Sequence, residues 1–103
     1  MNQTVYRYQR TFILSLSGAR DSRAPGGAVT VALCGHWDHQ GTCRWPHLST
    51  IEESPEGTHF LTVHFNAPDE EVEEVLRKIH AALETNYLRG PDGRETTWIV
   101  RPA

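Results

Sequence analysis

Residues 4–17 alternate between apolar and polar side chains, and this period of two constrains the fold more than any other feature of the chain. The apolar positions, which only Arg10 interrupts, are Tyr6, Tyr8, Phe12, Leu14 and Leu16. Successive side chains of a β-strand point to opposite faces, so the alternation predicts a long strand with one buried face. The rest of the chain must supply neighbouring strands and a cover for that face.

Four other segments are predicted to be strands, either from their own alternation or from the turn residues that flank them. The polar stretch 18–27, rich in Gly and Pro, is expected to form a turn or loop between the first strand and the second. The turn signature Ser54–Gly57 introduces one of the later strands, and Pro46 places another at a sheet edge. The predicted strands are about 28–36, 44–52, 58–66 and 95–101.

The segment that begins at Pro68 predicts an amphipathic helix. Proline suits the first helical position, and the acidic residues 69–71 complement the positive end of the helix dipole. One apolar stripe follows at helical spacing and consists of Val72, Val75, Leu76, Ile79 and Leu83. The expected fold is therefore a single α+β domain over 1–103, an antiparallel sheet of four to five strands with one helix packed on one face, in the order β-β-β-β-α-β.

A single helix covers only one face of a sheet of this size. The other face is expected to meet solvent, a partner or a second copy of the chain. Ile13, Phe60, Trp98 and Val100 are predicted on that open face. A homodimer is the partner that this arrangement suggests.

Composition excludes some classes of protein. The 103 residues have a formal net charge of −3, and the ten basic residues are scattered along the chain. A nucleic-acid interface needs clustered cations, so DNA and RNA are not expected partners. No segment reaches the roughly 20 apolar residues of a membrane span, and the first residues do not resemble a signal peptide. The default expectation is a cytoplasmic protein with reduced cysteines.

The segment 34–47 concentrates the side chains that can carry chemistry. It holds two cysteines, three histidines and an aspartate within fourteen residues. Thiolate and imidazole together are the ligand set that zinc prefers. The candidate metal ligands are Cys34, His36, His39, Cys43 and His47. On the expected strand, Cys34 and His36 would project from the same face.

Other interpretations of this segment remain open. The spacing is neither a C-x2-C knuckle nor that of a zinc finger, so the metal hypothesis depends on ligand density. Cys34 and Cys43 could instead form a disulfide or pack as small apolar side chains. Without a metal, Trp37, Arg44 and Trp45 could form an interaction surface, because Trp and Arg are common at interface hot spots.

The sequence lacks the signatures of the common catalytic sites. It has no G-x-S-x-G elbow, no phosphate-binding glycine loop and no dinucleotide fingerprint. No catalytic residue is therefore predicted, and an enzyme is the less favoured class. The leading expectation is a small binding or accessory protein with zinc bound at 34–47, and the alternative is a metal-free interaction module that could form a homodimer.

Overall fold

The computed structural model describes residues 5–18, 21–34, 45–90 and 92–101, with the backbone alone at Cys34. The strands form one five-stranded antiparallel sheet in the order β2-β3-β1-β5-β4. A 3₁₀ turn at Asp69–Glu71 precedes the second helix. The elements in chain order are β1 (Tyr8–Gly18), α1 (Ala24–Cys34), β2 (His47–Glu53), β3 (His59–Phe65), α2 (Val72–Glu84), β4 (Tyr87–Arg89) and β5 (Glu95–Arg101).

Two interleaved crossovers define the topology. β1 and β2 both pair antiparallel with β3, so they run parallel to each other with β3 between them. β3 and β5 likewise both pair antiparallel with β1, so they run parallel to each other with β1 between them. Apart from the short strand β4, this is the β-α-β-β-α-β order called split β-α-β or ferredoxin-like. The topology describes the fold and does not assign an activity.

The strand predicted at 28–36 is wrong, because residues 24–34 form helix α1. The predicted single helix and the order β-β-β-β-α-β are corrected with it. Alternation of Val29, Val31 and Leu33 suggested a strand, and β-branched residues favour that conformation. The topology requires the opposite, since parallel strands in one sheet need a crossover connection and a helix is its usual form.

Burial along α1 has helical rather than strand periodicity. Neighbouring residues are buried together in α1, which a strand with one covered face does not allow, and the buried set is Ala24, Pro25, Gly27, Ala28, Val29 and Leu33. Val31, which a strand would place beside Val29, is only partly buried. Pro25 lies in the first turn of α1, where a missing N–H costs no intrahelical hydrogen bond. The first helix is therefore stabilised by packing rather than by its intrinsic propensity.

The predicted amphipathic helix is confirmed as α2. Val75, Ile79, Ala82 and Leu83 are buried along its inner side. The helix ends at Glu84, directly after Leu83, the last residue of the predicted apolar stripe. Asn86 has a φ of 61° and its N–H donates to the Leu83 carbonyl, which is a left-handed helix cap.

Both helices cover the same face of the sheet. Phe12, Leu14 and Leu16 of β1 point into this covered face and are buried, as the alternation predicted. Trp98 and Val100 belong to the same face, because they pair with Leu16 and Leu14 respectively. Their predicted place on the open face is therefore wrong. The register does place Ile13 and Phe60 on the open face.

Polar contacts connect the sheet to α2. The Trp98 indole N–H donates to the Leu83 carbonyl at 2.9 Å, although Trp98 is only 1% exposed. A buried indole N–H needs such a partner, so this contact fixes α2 over β5. In the part of the chain that the structure describes, no helix is long and apolar enough to cross a membrane.

Gly18 marks the end of β1 with a backbone that other residues rarely adopt. Its φ is 72°, and a Cβ built there would lie 2.8 Å from the backbone oxygen of Glu95. Gly18→Ala is expected to lower the free energy of unfolding by more than about 2 kcal/mol, because left-handed strain and the clash add. Gly57→Ala is the matched control, since Gly57 has a φ of 88° but open space around it.

Urea denaturation of both variants checks this prediction. Gly57→Ala is expected to cost only the conformational strain, about 1 kcal/mol. Equal losses for the two variants would contradict the close approach of β1 to β5 at Gly18.

Candidate functional site at the α1–β2 connection

The predicted ligand segment connects α1 to β2. Cys34 ends the helix and His47 begins the strand. The expectation that Cys34 and His36 share a strand face is wrong for Cys34, which lies in a helix. The predicted site residues outside the described part of the chain are His36, Trp37, His39, Cys43 and Arg44.

His47 lies on the covered side of the sheet, between β2 and α1. Its side chain is buried, with 8% exposure for the residue. Nδ1 lies 3.1 Å from the Trp45 carbonyl oxygen, and Nε2 lies 3.3 Å from the Thr30 hydroxyl. The strand register positions this ring, since His47 pairs with the buried Phe65 of β3.

The partner of Nδ1 determines the tautomer of the neutral His47 ring. A carbonyl oxygen only accepts hydrogen bonds, so Nδ1 carries the hydrogen and donates to Trp45. Nε2 then carries the lone pair and accepts from the Thr30 hydroxyl. Histidine ligands of metals commonly have this arrangement, in which one ring nitrogen donates to a carbonyl and the other binds the ion.

Cys34 and His47, the two ends of the segment 34–47, lie on the same side of α1. Thr30, which contacts His47, and Cys34 are four positions apart in α1. Residues with this separation lie on the same face of a helix, one turn apart. The backbone of Cys34 is therefore one helical turn along the face of α1 that His47 contacts.

Trp45 is in the core rather than at the surface. It is 3% exposed, and its indole N–H donates to the Glu71 carboxylate at 2.8 Å. The Lys78 ammonium lies 5.9 Å from the centre of its ring. Trp45 therefore anchors the start of β2 against α2, and it is not accessible to a partner.

A cleft of about 270 Å³ opens beside His47. It lies between α1 and β2, and both elements contribute to its lining, including Gly26 and Thr30 of α1 and His47 and Ser49 of β2. A Cβ at Gly26 would lie 3.1 Å from the Ser49 Cβ, so glycine allows the close approach of the two elements. The Ser49 hydroxyl is buried and has no hydrogen-bond partner within the described ranges.

A second cleft lies between the start of α1 and the β4–β5 hairpin. Its lining includes Asp21, Arg23, Asp92 and Arg94, so charges of both signs alternate around it. Hydrogen bonds from Arg23 to the Asp21 carboxylate lower the pKa of Asp21 below its usual value. Each carboxylate forms an ion pair with the arginine two residues away, so the charges largely neutralise one another.

His59 is the second buried histidine of the sheet. It is 6% exposed, its Nε2 lies 3.9 Å from a Glu53 carboxylate oxygen, and its Nδ1 has no hydrogen-bond partner among the described residues. It faces the covered side from β3, opposite Leu14. Within residues 5–18, 21–34, 45–90 and 92–101, no three His, Cys, Asp or Glu side chains are grouped closely enough to hold a metal ion.

Comparisons with protein-family models, with curated proteins and with solved structures find no match for this chain. Function must therefore be argued from the residues and their geometry.

Thr30 and Ser49 were not predicted as part of a site. Both have short polar side chains that carry no distinctive signal in the sequence, and Thr30 was predicted to lie in a strand. Only the helical form of residues 24–34, packed over β2, brings Thr30 to His47. No spacing in the sequence signals this contact.

Proposed function

We propose that this chain is a small binding or accessory protein that holds a zinc ion at the α1–β2 connection. The candidate ligands come from Cys34, His36, His39, Cys43 and His47. Zinc in structural sites takes four such ligands, and the five cysteines and histidines of the segment are enough to supply them. The ion would join the end of α1 to the start of β2.

The tautomer of His47 carries the proposal. Nδ1 donates to the Trp45 carbonyl, so the lone pair of Nε2 faces the side of α1 that leads to Cys34. Zinc binding at Nε2 would replace the 3.3 Å contact with the Thr30 hydroxyl, which is long for a hydrogen bond to nitrogen. The buried ring would lose little conformational freedom on binding the ion.

Native mass spectrometry of the untagged protein, before and after a chelator, tests the proposal. The expected result is a mass excess of one zinc ion per chain that the chelator removes. Cys34→Ser and His47→Ala are each expected to abolish this excess, because a structural zinc site rarely keeps its ion after losing a ligand. Removal of the metal is also expected to lower the melting temperature of the wild type.

His64→Ala is the matched control for the loss of one imidazole. His64 lies on the open face, since it pairs with Gln9 of β1, and is therefore on the opposite side of the sheet from His47. The control is expected to keep the ion. A bare mass for the wild type would reject the proposal, and a bare mass lighter by two hydrogens would indicate a disulfide instead.

The open face of the sheet supports a second candidate function, a metal-free interaction module. Ile99 is 66% exposed, Leu48 is 50% exposed and Phe60 is 37% exposed on that face. Several large apolar side chains exposed on one uncovered face are typical of an interaction surface. The proposed surface differs from the Trp37, Arg44 and Trp45 segment, because Trp45 is buried.

A further inference from the structure

One row of side chains crosses the open face with opposite charges at its two ends and apolar residues between them. The strand register aligns Glu52 of β2 with Phe60 of β3, Phe60 with Ile13 of β1, and Ile13 with Arg101 of β5. The row therefore consists of an acid, two apolar residues and a base. Its midpoint lies between β3 and β1, the two central strands of these four.

The row is complementary to its own reverse. A two-fold axis along the strands and between β3 and β1 would place a second copy face to face with the row inverted. Glu52 would then oppose Arg101 of the second copy, and Phe60 would oppose Ile13. Each pairing occurs twice in such a dimer, as an isologous interface requires.

The charged ends of the row are available for these contacts. Glu52 and Arg101 are both exposed, and neither forms an ion pair within the described part of the chain. An opposite charge from a second copy would therefore add an interaction without breaking an existing one. The neighbouring row is polar, and the hydroxyls of Thr11 and Thr62 lie 3.0 Å apart within it.

The strand register decides how much of the face two copies can share. β3 pairs with residues 8–14 of β1, so β3 would oppose β1 of the second copy along its full length. β5 pairs with residues 13–18 of β1, so β2 would oppose β5 of the second copy only around the row itself. The contact is therefore small, and the two charged pairs determine its specificity. Two antiparallel sheets pack face to face in this way in β-sandwiches, with their strands roughly aligned.

We infer that the open face binds a second copy of this chain, with Glu52 of each copy paired to Arg101 of the other. Phe60 and Ile13 form the apolar centre of the interface, and Ile99 flanks it. The interface uses the face opposite the helices, so it is independent of the proposed zinc site.

Charge reversal tests the inferred pairing by sedimentation velocity at several protein concentrations. The wild type is expected to dimerise at roughly 100 μM and above, because an interface of this limited size is weak. Glu52→Arg and Arg101→Glu are each expected to raise the dissociation constant about 10- to 100-fold, because two attractive pairs become repulsive. The double variant, which exchanges the two charges, is expected to restore dimerisation.

A mixture of the two single variants gives the sharpest result. In a mixed dimer, the two arginines of the Glu52→Arg chain would face the two glutamates of the Arg101→Glu chain. Two chains that dimerise weakly alone are therefore expected to form a heterodimer in a one-to-one mixture. Native mass spectrometry with one chain isotopically labelled distinguishes this species from either homodimer.

Glu73→Arg is the control for a charge change outside the face. Glu73 is exposed on α2, on the covered side of the sheet, and its reversal is expected to leave dimerisation unchanged. Circular dichroism melting checks that every variant is folded. A monomeric wild type, or a dimer that tolerates both single reversals, would overturn the inference.

Discussion

Trp98→Ala is expected to lower the free energy of unfolding by about 3–5 kcal/mol, the usual cost of deleting a buried tryptophan side chain. Trp98 is 1% exposed and lies among the core residues of the covered face. The substitution also removes the indole hydrogen bond to the Leu83 carbonyl, which then keeps only the hydrogen bond from the Asn86 N–H. Since a domain of this kind is stable by only about 5–15 kcal/mol, urea denaturation should detect the loss readily.

Ile99→Ala is the matched control in the next position of β5. Ile99 is 66% exposed, so its truncation is expected to change stability by only about 0.5 kcal/mol when the chain is monomeric. If Trp98→Ala is too unstable to purify, Trp98→Phe keeps most of the volume and tests the loss of the hydrogen bond. A larger loss for Ile99→Ala than for Trp98→Ala would mean that the faces of β5 are assigned the wrong way round.

Val29→Asp is the second substitution with a large expected effect, a loss of about 3–5 kcal/mol in the free energy of unfolding. Val29 is fully buried in α1, and a carboxylate there would have no cation to pair with among the core residues. The buried charge would remain unpaired or be forced to take up a proton. Chemical denaturation above pH 7, where the carboxylate is ionised in the unfolded chain, measures the full effect.

Val31→Asp distinguishes the helix from the predicted strand. In a strand, residues 29 and 31 would share a face and both substitutions would be equally severe. In α1, Val31 is partly exposed, so its replacement is expected to cost only about 1 kcal/mol. Equal losses for Val29→Asp and Val31→Asp would support the strand and contradict α1.

The two segments with strong periodicity were predicted well. The alternation over 4–17 corresponds to β1, and the stripe from Val72 to Leu83 corresponds to α2. In both, the buried face accounts for nearly every apolar position, so local pattern and tertiary packing agree. Strand β3 was predicted for the same reason, within one residue of each end, and β5 was predicted with the observed bounds although apolar residues lie on both of its faces.

The failure at residues 24–34 has a different origin. This segment is apolar on most sides, and it contains two glycines, a proline and several β-branched residues. Such a composition fits a buried strand and a buried helix equally well, and periodicity cannot separate them over so short a run. The error moved Thr30 and Cys34 to a strand, so the contact between Thr30 and His47 could not be anticipated.

The sequence also could not predict which face of β5 the helices cover. Apolar side chains occur on both faces of the strand 95–101, with Trp98 and Val100 on one face and Ile99 on the other. Only the pairing with β1 decides which side is covered, because Leu14 and Leu16 already face the helices. The open face, and with it the row from Glu52 to Arg101, exists only once that register is set.

The sequence by itself determined the elements whose periodicity matches one secondary structure, and it located the density of thiols and imidazoles at 34–47. The tertiary structure decided that residues 24–34 are a helix, because parallel β1 and β2 need a crossover above the sheet. It also decided that Trp45 is buried and that Glu52 and Arg101 end one row. These outcomes depend on contacts between residues far apart in the chain, which no local pattern records.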